Sequence, residues 1–107
     1  MSYITVQEAI DKGKGKVSIR GWIYRERKQK DMVFLVIRDS TNIIQCVVKQ
    51  DQVKPETWNE VNELLIESSV KLSGTVKEDK RAPTGYEIQV TELQVVDFAQ
   101  VFPITKD

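Results

Sequence analysis

The sequence predicts an all-β domain with one or two helices, its five strands closed into a barrel and a helix between the third and fourth. Three observations predict it. Residues 16–49 fall into three strand-like segments, the first alternating apolar and polar residues and the second rich in β-branched and aromatic ones. Residues 55–67 change to apolar spacings of three and four, the period of a helix. Two further alternating segments follow, over 70–77 and 86–98.

Taken in order, Thr5-Val6-Gln7-Glu8 matches a capping box and starts a short helix over 5–11. Gly13 and Gly15 end it, so residues 1–15 form an N-terminal helix and turn. Val17, Ile19, Gly21 and Ile23 then alternate with Ser18, Arg20, Trp22 and Tyr24 in a long first strand. Residues 28–31 are polar and read as a hairpin loop; 32–38 form the second strand. Asp39-Ser40-Thr41-Asn42 is a turn of side chains that bond their own backbone, and 43–49 is the third strand. Pro55 suits a first helical turn and Glu56 its positive end, ahead of a stripe of Trp58, Val61, Leu64 and Leu65. Gly74 marks a bend or bulge in the fourth strand, 78–85 is a charged loop, and 99–107 begins a linker. Three strands, a helix and two strands is the chain order of the OB-fold, whose helix plugs the barrel. A small β-sandwich or an SH3-like barrel is the alternative, although neither needs a helix there.

At 107 residues, with 40% hydrophobic and 30% charged, the chain is expected to be a single globular domain. It has no histidine and one cysteine, Cys46, which excludes Cys/His zinc sites and Ser-His-Asp or Cys-His catalysis. No phosphate-cradling GxxxxGK[ST] or GxGxxG run occurs, so no catalytic residue and no metal ligand is assigned. No apolar run approaches the roughly 18 residues that span a bilayer, and no signal peptide is visible, so a cytoplasmic protein with no membrane partner is expected. A lone cysteine fits that reducing compartment. Charge is unevenly placed. Residues 12–30 carry eight basic residues against one acid, Glu26, while the chain as a whole is neutral. That gives one basic side able to meet phosphates.

Strand phase sorts the side chains into two faces. Val33, Leu35 and Ile37 share an inward phase, as do Ile44, Cys46 and Val48, and Tyr86, Ile88 and Val90. Outward remain Phe34 and Arg38, then Gln45 with Ile43 and Val47, then Glu87, Gln89 and Thr91. A phenyl ring can stack on a base, a glutamine amide can both donate to and accept from a base edge, and a carboxylate accepts only. Arg20, Arg25, Arg27, Lys28 and Lys30 would neutralise phosphates. Each has a plainer reading: Phe34 as a core plug, Gln45 as ordinary surface, Trp58 as core packing, Trp22 and Tyr24 as core or groove. Strict alternation from Val17 turns Arg27 inward, and a bulge near Gly21 would be needed to turn it out.

Gly21-Trp22-Ile23-Tyr24-Arg25-Glu26-Arg27, Phe34-Leu35-Val36-Ile37-Arg38-Asp39 and Ile43-Ile44-Gln45 resemble the N-terminal anticodon-binding domain of class IIb aminoacyl-tRNA synthetases. The resemblance continues through Lys80-Arg81-Ala82-Pro83-Thr84-Gly85-Tyr86-Glu87 to Phe102-Pro103-Ile104, and is nearest to the asparaginyl enzymes. It implies that Arg27 contacts the anticodon, Phe34 stacks on its central uridine, and Gln45 and Glu87 contact its bases. Arg25, Lys28, Lys30 and Arg81 complete the expected nucleic-acid-binding set. It further implies a homodimeric parent ligase whose ATP and Mg2+ act in a catalytic domain this chain lacks. This piece is then expected to be a monomer, without a cofactor and inactive alone. An aspartate ligase domain, a free-standing single-strand binder and a protein-interaction module are the competing expectations.

Overall fold

The chain runs α1 (Val6–Lys12), β1 (Gly15–Lys28), β2 (Met32–Arg38), β3 (Ile43–Lys49), a 3-10 turn (Gln50–Gln52), α2 (Pro55–Glu63), β4 (Ser69–Glu78) and β5 (Tyr86–Asp97). The computed structural model describes residues 2–64 and 66–97. Phe98, the 99–107 linker, Phe102-Pro103-Ile104 and Leu65 therefore lie outside the described residues. The strands close into a barrel in the order β1-β2-β3-β5-β4. β3 and β5 pair in parallel, and the other neighbours are antiparallel. This is the OB-fold barrel with its helix between β3 and β4, as expected.

Alternation explains the core. Val33, Leu35 and Ile37 on β2, and Ile44, Cys46 and Val48 on β3, are fully buried. Ile19, Ile23 and Ile88 meet them from β1 and β5. Burying an aliphatic side chain of this size contributes about 1.5–3 kcal/mol, so these strands are held mainly by their inward rows. Gly74 tolerates no side chain, because a Cβ there would run into the Gln89 carbonyl oxygen of β5. The β4–β5 register shifts at this point, between Ser73 and Gly74.

The capping box on α1 is complete. Glu8 N–H donates to Thr5 Oγ1 at 3.1 Å, and Thr5 N–H to Glu8 Oε1 at 2.8 Å. The β2–β3 turn caps the same helix from across the chain. Val6 N–H donates to Asp39 Oδ2 at 2.9 Å and Gln7 N–H to Thr41 Oγ1 at 3.0 Å. Burial on its own would raise the Asp39 carboxyl, but donors on Thr41, Val6 and Asn42 hold it below the usual aspartate range. Val6 and Ala9 are thereby locked into the core.

The second helix is shorter than its periodicity suggested, ending at Glu63 rather than near residue 67. Leu64 leaves the helix at ψ 144° and is fully buried, so the core takes its side chain at the expense of another helical turn. Lys28 reaches the C-terminal carbonyls this leaves, donating to Asn62 O at 2.7 Å and Leu64 O at 3.4 Å. A cation suits that negative helix end.

Candidate nucleic-acid interface

β1 changes partners along its length, pairing with β4 through Trp22 and with β2 from Trp22 onward. At the change, Ile23 N–H donates to Ser68 O at 2.9 Å and Ile23 O accepts from Glu67 N–H at 2.7 Å. Its register with β2 then jumps from Ile23↔Ile37 to Arg25↔Val36, leaving Tyr24 as an extra residue. One extra residue reverses the phase of all that follows. Arg25 and Arg27 turn outward, and Glu26 comes opposite the core residue Leu35. The bulge invoked for Arg27 is therefore real but lies at Tyr24, three positions after Gly21. Gly21 answers a different constraint, since a Cβ there would run into the Arg38 carbonyl oxygen.

With that phase set, the outward residues line up in register across four strands. One row reads Arg27, Phe34, Val47 and Gln89; the next reads Arg25, Val36, Gln45 and Glu87. Arg27, Phe34, Gln45 and Glu87 thus come together on one face. Phe34 is half-buried on the outer surface rather than a core plug. The Arg27 guanidinium lies 4.7 Å from its ring centroid. Val47, expected beside Gln45 in the open, is only 4% exposed because Phe34 and Gln89 flank it in register. The ring therefore sits on an apolar floor.

The polar half of the face is a connected set. Gln45 Nε2 donates to Glu87 Oε1 at 3.2 Å, and Gln89 Nε2 to Glu87 Oε2 at 3.3 Å. Both carboxylate oxygens are engaged, so Glu87 is held in place although it is 9% exposed. With their amide donors turned to Glu87, the two glutamines keep carbonyl oxygens for a ligand. A stacking ring, a guanidinium and fixed acceptors side by side can take up an unpaired base and its phosphate.

The other expected residues are placed differently. Lys28 is opposite the core residue Val33, with its ammonium 3.3 Å from Glu26 Oε1 and bonded to the end of α2, away from the Arg27 row. Lys30 is exposed in the β1–β2 loop. Arg81 lies in the β4–β5 loop, its Nε 3.5 Å from Asp79 Oδ1 and its side chain 93% exposed. The Arg81 backbone N–H, at 2.9 Å, is the main cause holding the Asp79 carboxyl low. Sequence reasoning left out Gln89 as the second brace of Glu87, and Val47 as the floor. Tyr24, read from sequence as core or groove, has Arg25 at 5.4 Å and Arg38 at 5.3 Å from its ring. Trp22 and Tyr24 are both exposed, which places them outside the core. No sequence signal paired β3 with β5, and that pairing is what brings Gln89 and Glu87 to the face.

Comparison with known proteins agrees with this geometry. The tRNA anti-codon family of the OB-fold nucleic acid binding domain matches residues 17–96. The chain belongs to this family. As an anti-codon OB domain it is 49% identical over 92 residues to an asparagine–tRNA ligase of Thermoplasma acidophilum, covering 86% of this chain and 21% of that protein. In structure it is similar to an asparaginyl-tRNA synthetase from Pyrococcus horikoshii complexed with asparaginyl-adenylate. The TM-score is 0.86 at 39% identity, over 97% of this chain and 24% of that one. An aspartyl tRNA synthetase from Entamoeba histolytica matches at a TM-score of 0.82 and 25% identity, over 95% of this chain and 23% of that one. The OB domain spans about a fifth of the length of the curated relatives it matches.

Proposed function

We propose that this OB domain holds a tRNA anticodon loop and serves as the recognition module of an asparagine–tRNA ligase. The observation that carries the reading is the in-register assembly of Arg27, Phe34, Gln45 and Glu87 on one outer face. Phe34 stacks on the central base, Gln45 and Glu87 meet base edges, and Arg25 and Arg27 answer the adjoining phosphates. The likeness to asparagine–tRNA ligases supports the choice of RNA and of amino acid. On this reading the ATP and Mg2+ chemistry belongs to the remainder of a homodimeric ligase in the cytoplasm, and this domain alone is a monomer that charges nothing. No described helix is long and apolar enough to cross a membrane.

Binding to anticodon stem-loops tests the reading. A GUU loop should bind more tightly than one with its central uridine replaced, and Phe34→Ala should weaken GUU binding by about 1–3 kcal/mol. Equal affinity for the two loops would refute recognition at the central base. Comparing loops that differ only at the third anticodon position separates an asparagine from an aspartate module.

A further inference from the structure

The change of partner strands at Ile23 divides the basic stretch of the sequence between two faces, and the second face has its own geometry. Arg20, before the bulge, lies directly opposite Lys71 of β4, which in turn lies opposite Gln94 of β5. Like charges facing each other across neighbouring strands repel and destabilise the sheet. Among the described residues neither cation has an ion-pair partner; the pairs are Lys28–Glu26 and Arg81–Asp79. Both instead gather at Tyr3, with the Arg20 guanidinium 5.3 Å and Lys71 Nζ 5.8 Å from its ring centroid. Tyr3 is fixed beside them because Ile4 N–H donates to Ser18 O at 2.9 Å.

A cavity of about 280 Å³ opens beside Tyr3 and Lys71, with Lys54 and Thr57 on its wall. Lys54 is the N-cap residue of α2 and Thr57 lies in its first turn, and that N-terminus carries no side-chain cap. Uncapped N–H groups and the helix dipole add positive potential to that wall. Three acids are nearby, and Glu56 in the first turn of α2 is one of them. Glu92 lines the cavity, and Asp39 borders Arg20 but is occupied in capping α1.

We propose that Tyr3, Lys54 and Lys71, lining this cavity with Arg20 adjoining it at the Tyr3 ring, form a phosphate-binding site distinct from the base-contacting face. Its ligand is a phosphate group, carried by a nucleic-acid backbone or free in solution. A tetrahedral oxyanion relieves the Arg20–Lys71 repulsion, and its several oxygens match the Lys54 and Lys71 ammonium groups and the Tyr3 and Thr57 hydroxyls that line the cavity.

The test is an amide-resonance titration of the whole chain with inorganic phosphate, against sodium chloride at equal ionic strength. Saturable shifts at Lys71, Gln94 and Thr57, with Gln45 and Glu87 unmoved, are expected. Lys71→Gln should weaken phosphate binding about tenfold, the loss of one charged donor. It should also raise Tm in phosphate-free buffer by removing the repulsion. Shifts that chloride reproduces, unsaturable shifts, or wild-type phosphate affinity in Lys71→Gln would overturn the site. A fall in Tm would overturn the repulsion on which it rests. A short RNA added to Phe34→Ala protein assigns the source: displacement of bound phosphate names the backbone, and no displacement names the free ion. Because the phosphate titration contains no base, its failure leaves the anticodon reading standing.

Discussion

Asp39→Asn should loosen α1 while leaving the base-contacting face intact. The Asp39 carboxylate accepts from Val6 N–H at 2.9 Å through Oδ2. Through Oδ1 it accepts from Thr41 N–H at 2.7 Å, Thr41 Oγ1 at 2.6 Å and Asn42 N–H at 3.2 Å. Asparagine retains one acceptor oxygen and sets an NH2 group against the donors at the other. Losing a capping acceptor costs about 1 kcal/mol, and losing a negative charge at a helix N-terminus adds roughly 0.3–1 kcal/mol. A total of about 1–2 kcal/mol corresponds to a Tm lowered by about 5–10 °C in a domain of this size. Circular dichroism melts at stepped pH are the assay. Because the folded Asp39 carboxyl is held below its ordinary value of 3.8, its stabilisation is complete above that value and is lost as pH falls through the folded one. The Tm gap between wild type and Asp39→Asn should therefore be constant between about pH 5 and 7 and narrow progressively as pH falls below about 4. A gap that does not narrow at all as pH falls below about 4, or no gap at pH 7, would refute the capping argument.

Other perturbations probe the barrel and its face. Gly74→Ala should destabilise by about 1–3 kcal/mol, read as a lower urea midpoint, because its methyl meets the Gln89 carbonyl oxygen. An unchanged midpoint would mean that β4 and β5 can part there without cost. The Cys46 thiol is pushed far up by burial and then by the Glu87 charge, so a disulfide reagent at pH 8 should leave the folded protein untouched and react once urea unfolds it. Fast labelling in native buffer would contradict a closed core. In a double-mutant cycle, Arg27→Ala and Phe34→Ala should couple in RNA binding, since the guanidinium and ring are in contact at 4.7 Å. Additive losses would separate their roles.

Much of this was legible in the chain. Period-two alternation identified the buried rows of β2 and β3, and by subtraction it turned Phe34, Gln45 and Glu87 outward. Thr5 and Glu8 announced the start of α1 because a capping box is satisfied within four residues. The end of α2 was misjudged because periodicity cannot show that the core would draw Leu64 out of the helix. Lys28 read as one more phosphate-seeking cation, and only the approach of the α2 carbonyls gave it another partner. Charge counting treated residues 12–30 as one basic side, whereas strand exchange at Ile23 splits them between two.

The sequence by itself determined which residues must be hidden, since that follows from local period and from the cost of leaving apolar side chains in water. From it follow the five strands, the helix between the third and fourth, and the candidates left on the outside. Tertiary structure decided how those candidates meet. The position of the Tyr24 bulge turned Arg27 toward Phe34, and the parallel β3–β5 pairing set Glu87 beside Gln45. Both depend on hydrogen bonds between segments distant in the chain, and no local pattern of residues records which distant strand will supply them.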